Sequence, residues 1–373
     1  MNAPPRLLFV GGGTAGHVFP AVAVAQAVLA REPSAEILFA LPAGRENYLK
    51  GTSWKCTTVR APRLDHLSRP GRWLGLAWNG PGALFGAARV LGGFRPHAVL
   101  GTGGYACAPL VLSAGLLKVP VVLLEPNAVA GRATRFLSRW ARAVDAAWEF
   151  DYEPWSDRRH PFSTTTHLEI TGTPVRAEIL EAAGEPERPG VLVFGGSLGS
   201  SFLNRTAAEA LVAVGKAFPG LRIRHLTGPA EEAGVSARYR EAGVPAEVLA
   251  FLPDMRPAYR EASVVVSRAG GNTLAEVLAL GKAAILVPLP NSADGHQKAN
   301  ALQASRRGAA VLLEEEGMTA ARLAAEISRL LGDVAARAEM GRRARALGRP
   351  GAAGVVADRL LSLLHRDGVA HAA

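Results

Sequence analysis

The sequence predicts an α/β protein built from two Rossmann-like, doubly wound domains. Three observations carry this expectation. Short β-rich runs alternate with alanine-rich helical stretches, the order that builds a parallel sheet. The alternation begins twice, each time as strand, glycine-rich turn and helix. The length, 373 residues, suits two domains at roughly 100–200 residues each.

In the first half, Arg6–Val10 reads as a strand and Pro20–Arg31 as a helix that opens on its proline. Glu36–Leu41, Ala98–Leu100 and Val119–Leu124 read as further strands, with a helix over Pro109–Leu117 between the last two. The break Asn79-Gly80-Pro81-Gly82 argues against one continuous helix through that stretch. After the charged, proline-containing segment 186–190, Val191–Phe194 starts the second half, and a helix follows over about 202–218. Arg222–Leu226, Val248–Phe251, Ser263–Val266 and Ala284–Val287 continue it as strands, with helices over Gly271–Leu280 and Thr319–Leu331. The first domain is expected over residues 1–175, completed by a C-terminal helix within 348–368, and the second over 176–347.

Composition excludes several classes. Hydrophobic residues make up 49% and charged residues 20%, which rules out a mainly disordered chain. The 41 Gly and 25 Pro exceed average usage but stay below the roughly 25–30% of low-complexity sequence, so tight turns are the better reading. Two cysteines without a CxxC pattern point to a reducing compartment. The N-terminal apolar run, Leu7–Val10, is too short for a signal peptide, and the uncharged stretch 98–117 is broken by GTGGY and Pro109. The net charge of +10 suits an anionic partner. It is concentrated: residues 50–96 hold eight Lys or Arg against the single acid Asp65.

The glycine turns suggest chemistry. Gly11, Gly13 and Gly16 satisfy GxGxxG between a strand and a helix, where backbone N–H groups and the helix dipole favour an anion. A plain strand–helix turn is the alternative. A dinucleotide enzyme needs an acid at the end of the second strand, but that strand closes Ala40-Leu41-Pro42-Ala43, and Arg45 would have to serve an NADP phosphate. His17 follows the turn directly; it is either a general base for a sugar hydroxyl or a capping or core histidine. Gly101-Thr102-Gly103-Gly104-Tyr105 and Gly195-Gly196-Ser197-Leu198-Gly199 offer two more anion turns. Arg268-Ala269-Gly270-Gly271-Asn272-Thr273-Leu274-Ala275-Glu276 enters a helix, and Glu276 could accept from vicinal ribose hydroxyls or simply complement the helix dipole. Gln297, in the polar run from Asp294 to Asn300, faces either a sugar or solvent.

These motifs, with EPNAVAGRATR, TGTPVR and DGHQKANA, occur in one order between about residue 6 and residue 347. Together they resemble the MurG family, the bacterial peptidoglycan N-acetylglucosaminyltransferases. The resemblance implies a GT-B glycosyltransferase fold, two Rossmann-like domains facing across a cleft, and inverting transfer of GlcNAc from UDP-GlcNAc to the MurNAc C4 hydroxyl of lipid I to give lipid II. By motif position, Thr14, Ala15 and Gly16 would approach the donor sugar and Asn127 would bond it. Arg176 and Ser197 would hold the pyrophosphate, and Leu252 would frame uracil. The run Gly271, Asn272, Thr273, Leu274, Ala275 and Glu276 would supply N–H groups and hold ribose, and Gln297 would reach the sugar. Gly103, Gly104 and Tyr105 are candidates for the acceptor pyrophosphate. His17 is the candidate base and Glu125 the second candidate. The chain departs from the family at Leu124-Glu125-Pro126-Asn127, where HEQN is frequent, and at His296, where a glutamine is frequent, so no role is carried to those changed positions.

Between Arg69 and Arg95, the cations Arg69, Arg72, Arg89 and Arg95 interleave with Trp73, Trp78 and Phe85. Read alone, this pattern suits a membrane surface, nucleic acid or a partly buried core. A lipid-linked acceptor favours an anionic membrane surface and disfavours nucleic acid, which implies a peripheral protein on the cytoplasmic face of the cell membrane. No DxD motif stands at a strand end, so no metal or other cofactor is obligatory and a divalent cation is at most a stimulant. The rival functions are another GT-B nucleotide-sugar glycosyltransferase, an NADP-binding oxidoreductase and a basic binding module.

Overall fold

The computed structural model describes residues 4–49, 52–59, 71–104, 107–149, 166–196 and 199–367, and of 71–80 and 365–367 the backbone alone. Contacts divide the chain into two units. One comprises 1–126, 130–176 and 351–373, the other 127–129 and 177–350.

The first unit is a parallel seven-stranded sheet wrapped by helices. Its elements are β1 (Arg6–Val10), α1 (Ala15–Arg31), β2 (Glu36–Pro42), β3 (Lys55–Val59), α2 (Gly71–Phe94), β4 (Ala98–Gly101), α3 (Ala108–Leu116), β5 (Val121–Glu125), α4 (Arg132–Leu137), β6 (Ala143–Ala146) and β7 (His167–Ile170). Strand order is β3-β2-β1-β4-β5-β6-β7. The second unit contains α5 (Ala177–Leu180), β8 (Gly190–Phe194), α6 (Ser201–Ala217), β9 (Arg222–Leu226), α7 (Glu232–Glu241), β10 (Glu247–Leu249), α8 (Arg256–Arg260), β11 (Val264–Ser267), α9 (Gly271–Leu280), β12 (Ala283–Leu286), α10 (His296–Ser305), β13 (Val311–Leu312), α11 (Ala320–Gly332) and α12 (Val334–Leu347). Its parallel sheet runs β10-β9-β8-β11-β12-β13. The last helix, α13 (Ala352–Asp367), returns to the first unit.

The central strands are apolar on both faces because helices cover both. Leu7–Val10 of β1 and Val264–Val266 of β11 are fully buried. In the first unit, Val18, Val24 and Val28 of α1 share one core with Val356, Ala357 and Leu360 of α13. Arg31 closes that seam by pairing with Asp358 at 2.6 Å.

Two expectations need correction. The first helix starts at Ala15, not Pro20, so Pro20 lies one turn inside it. Thr14 is the extended residue before it (φ −134°, ψ 158°), and the long buried face outweighs the one backbone donor that proline withdraws. Likewise α2 runs unbroken through Pro81. Pro81 is exposed, where water can satisfy the carbonyl it leaves without a helical partner.

In both sheets the first strand of the unit sits beside the fourth: Val10 pairs with Gly101, and Phe194 with Ser267. These are the topological switch points, where an open α/β sheet leaves a crevice beyond its strand ends. The four turns singled out in the sequence therefore stand in two adjacent pairs.

Candidate active site

In the first unit the two turns meet around one imidazole. His17 lies in the first turn of α1, and its Nδ1 sits 2.9 Å from the Thr14 hydroxyl. A Cβ on Gly12 would fall 2.7 Å from the ring. On Gly103 it would fall 3.4 Å from the ring, and on Gly104 3.2 Å from the Gly12 backbone. Gly103 and Gly104 also adopt φ of +90° and +79°, where L side chains are strained. The missing side chains thus make room for His17. Tyr105 lies outside the described residues.

Glu125 ends β5, is buried, and accepts the Gly131 N–H at 2.8 Å. It shares a small strand-end cavity with Gly16, Thr102, Asp145 and Thr173. Arg176 lays its guanidinium over the Phe19 ring, 4.2 Å from the centroid, a cation–π contact that orients it. Thr14, Ala15, Gly16, His17, Gly103, Gly104, Glu125 and Arg176 all belong to this unit.

In the second unit, the turn after β8 is pressed onto β9. A Cβ on Gly199 would lie 2.1 Å from the Thr227 carbonyl oxygen. Asn204 of α6 donates to that same carbonyl at 2.8 Å and to Glu231 at 2.5 Å. Its amide oxygen lies 3.3 Å from His225, whose other ring nitrogen meets the Tyr239 hydroxyl at 3.1 Å. Burial lowers the His225 pKa to about 4, so the ring is neutral at pH 7. Ser197 lies outside the described residues.

Arg268, at the end of β11, is buried and binds three elements at once. It donates to the Ser200 hydroxyl at 2.5 Å and to the Val287 and Pro288 carbonyls at 3.1 and 3.3 Å, and it pairs with Glu315. Gly270 caps α9, and Gly271, Asn272 and Thr273 form its first turn, where N–H groups lack intrahelical acceptors. Glu276, one turn further, accepts from the Tyr259 hydroxyl at 2.7 Å. Leu252 and Gln297 are half-buried, and the Gln297 amide oxygen accepts the Leu289 N–H at 3.0 Å. That bond fixes which way the amide group faces.

Asn127 groups with this second unit. Asn300 of α10 holds it: its NH₂ donates to the Asn127 side-chain oxygen and to the Ala269 carbonyl, each at 3.0 Å, while its own oxygen accepts the Ala128 N–H at 2.7 Å. Asn300, Arg268, Tyr259 and Asn204 were not among the residues selected from the sequence for the site. Asn300 and Arg268 stood inside quoted motifs, and a polar residue at a position otherwise set for core was the signal available.

Two Rossmann-like units with anion-ready turns at both switch points have the build of the GT-B class, the fold of many nucleotide-sugar glycosyltransferases. Residues 7–145 match the glycosyltransferase family 28 N-terminal domain and residues 190–354 the family 28 C-terminal domain. A relative from Anaeromyxobacter sp. (strain Fw109-5) is 39% identical over 97% of this chain and 94% of its own length. One from Geobacter sulfurreducens is 36% identical over 97% and 100%. Both are named UDP-N-acetylglucosamine–N-acetylmuramyl-(pentapeptide) pyrophosphoryl-undecaprenol N-acetylglucosamine transferase. The crystal structure of Acinetobacter baumannii MurG superposes with a TM-score of 0.71 at 30% identity, covering 96% of this chain and 100% of that one. The calicheamicin glycosyltransferase CalG4, at 16% identity and a TM-score of 0.65, shares the fold. The chain belongs to glycosyltransferase family 28, within its MurG branch.

Replacing Asn300 by Ala strands the Ala128 N–H and the Ala269 carbonyl. The variant is expected to lose about 2–4 kcal/mol of stability in the second unit's urea transition. A loss below about 0.5 kcal/mol would show that these bonds carry no net weight.

Proposed function

We propose that the protein moves GlcNAc from UDP-GlcNAc to the C4 hydroxyl of MurNAc in lipid I, forming lipid II with inversion at the anomeric carbon. Kinship over nearly the whole chain with transferases named for this reaction carries the reading. The acceptor oxygen attacks the anomeric carbon as the bond to the UDP oxygen breaks. His17 takes the hydroxyl proton at Nε2, the ring nitrogen that does not face Thr14. Glu125, buried in the same unit, is the second candidate for that role.

The donor's roles follow the side chains held in place. Glu276, oriented by Tyr259, takes the ribose, and the first turn of α9, from Gly271 through Ala275, meets the diphosphate. Leu252 frames uracil through its main chain. Asn127, fixed by Asn300, and Gln297, fixed by Leu289, bond the GlcNAc. Arg176 and Ser197 neutralise the pyrophosphate, Thr14, Ala15 and Gly16 approach the donor sugar, and Gly103, Gly104 and Tyr105 meet the acceptor pyrophosphate. Donors already fixed on the scaffold stabilise the leaving diphosphate without reorganising, the source of most such catalysis.

The same reading places the protein on the cytoplasmic face of an anionic membrane. No described helix is long and apolar enough to cross one. Of the patch read in the sequence, Phe85 is 73% exposed, and Arg89 and Arg95 are exposed as well. Arg69 and the side chains of Arg72, Trp73 and Trp78 lie outside what is described. A further surface supports the reading: Leu116 is 75% exposed, and next to it a cavity of about 430 Å³ is bordered by Lys118, Arg139, Trp140 and Arg142. Apolar side chains beside cations suit the headgroup layer.

Wild-type protein should transfer radiolabel from UDP-GlcNAc to a lipid I analogue and release UDP. His17→Ala should lower kcat about 10²–10⁴-fold with UDP-GlcNAc affinity unchanged; near-normal turnover would remove His17 as the base. Sedimentation with vesicles containing phosphatidylglycerol should show binding that weakens as salt rises. Leu116→Asp should reduce it about tenfold, as expected for exchanging an apolar contact for an anion. Binding indifferent to anionic lipid and salt would contradict the membrane assignment.

A further inference from the structure

The mechanism leaves one buried charged cluster unused. Asp145 stands near the end of β6 with its side chain fully buried. The cation that answers it comes from the far end of the chain: Arg359 of α13 places Nε 2.9 Å from Oδ1 and donates to Oδ2 at 3.2 Å. The same guanidinium bonds Glu169 of β7, which lies 3.4 Å from His167. Asp145 also borders the strand-end cavity that contains Glu125 and Gly16, the residue before His17. Thr173, on that cavity, has a buried hydroxyl without a partner among the described residues. The cluster therefore joins the last helix of the chain to the wall of a cavity that Gly16, at the N-terminus of α1, also borders.

We propose that Arg359 is a positioning residue for transfer: it holds the Asp145 carboxylate ionised and fixed at the cavity wall beside the N-terminus of α1. There the carboxylate favours the imidazolium that His17 becomes on taking the acceptor proton, since opposite charges attract strongly where water is sparse. The proposal rests on the reading of His17 as base. It gives α13 a part in catalysis beyond the apolar faces of Val356 and Leu360.

Electrostatics support it. Burial pushes the Asp145 pKa up to about 6 even though Arg359 pulls it down. Glu169 raises it further and His167 lowers it. Glu125, from β5, is the other titratable group on the same cavity. Arg359 in turn holds Glu169 below the usual carboxylate range. Near neutral pH the folded protein thus keeps Asp145 ionised by a narrow margin. Without Arg359 the burial penalty stands uncompensated, the pKa rises, and protonated Asp145 spreads into the neutral range.

The experiment is the pH profile of kcat for transfer to a lipid I analogue, with UDP-GlcNAc affinity measured alongside. Arg359→Ala should move the acid limb up by about one pH unit, so that kcat falls about twofold at pH 7 and about fivefold at pH 6. Its UDP-GlcNAc affinity should stay within about twofold of wild type, as expected for an intact donor domain. Arg359→Lys, which keeps the charge, should recover most of the rate. Asp145→Asn keeps the shape and removes the titration, so in that background Arg359→Ala should no longer move the limb. An unmoved acid limb in Arg359→Ala would overturn the proposal. So would an equal loss at every pH with no rescue by Lys, or a limb that still moves in the Asp145→Asn background. If Arg359→Ala does not fold, Arg359→Lys and Asp145→Asn still decide: a limb unchanged in both overturns it. Wild type that transfers no GlcNAc would contradict the functional reading itself, and a His17→Ala variant with the wild-type limb would contradict the assignment of the base.

Discussion

The structure depends on close approach of backbone at the turns from strand to helix. At Gly12 and Gly199 there is no space for a Cβ: one would meet the His17 ring at 2.7 Å and the other the Thr227 carbonyl at 2.1 Å. This constraint does two things. It brings helix N-termini up to the ends of the central strands, where free N–H groups and the helix dipole attract an anion. In the first unit it also wraps two turns around a single imidazole, so one set of glycines both shapes the backbone and positions the candidate base.

Turns made of small residues have little side-chain packing to hold them, so buried polar groups take that part. Arg268 joins the cap of α6 to the end of β12 and to Glu315. Asn300 ties Asn127 and Ala128 to Ala269. Asn204 ties the β8 turn to β9 and to neutral His225. Each polar group is costly to bury alone and favourable only when satisfied, so such networks specify one geometry more than they add net stability. Groups held by such networks are fixed in advance, which suits the catalysis proposed for this chain.

Much of this was legible in the sequence, and what was not has a physical cause. The strands Arg6–Val10 and Arg222–Leu226 and the helix Gly271–Leu280 fall where read, because continuous apolar runs bounded by glycine turns leave few alternatives. The start of α1 was misplaced by five residues because proline favours a first-turn position in general, while here the buried face begins earlier. The course of α2 was misread because an exposed proline breaks a helix less than local propensity suggests. Short strands such as Ala143–Ala146 carry too little pattern to register. The partnership of Asp145 with Arg359 spans 214 positions, and no local motif encodes it. Glu276 was singled out from its place at the start of a helix, and Arg268, in the same glycine motif, was not. Tyr259, which orients Glu276, was also missed, because the short helix Arg256–Arg260 that carries it has no motif.

The central claim is a proposed division of labour between two turns of like build: ribose and diphosphate meet the turn of the second unit, and the turn around His17 meets the donor sugar and the acceptor. A crystal structure of the whole chain with UDP-GlcNAc tests this most directly. The account predicts the ribose on Glu276, the diphosphate at the first turn of α9, and no nucleotide on Gly11–Gly16. A uridine diphosphate seated instead on the turn from Gly11 to Gly16, with Glu276 still bonded to Tyr259 and no ligand near it, would contradict the account.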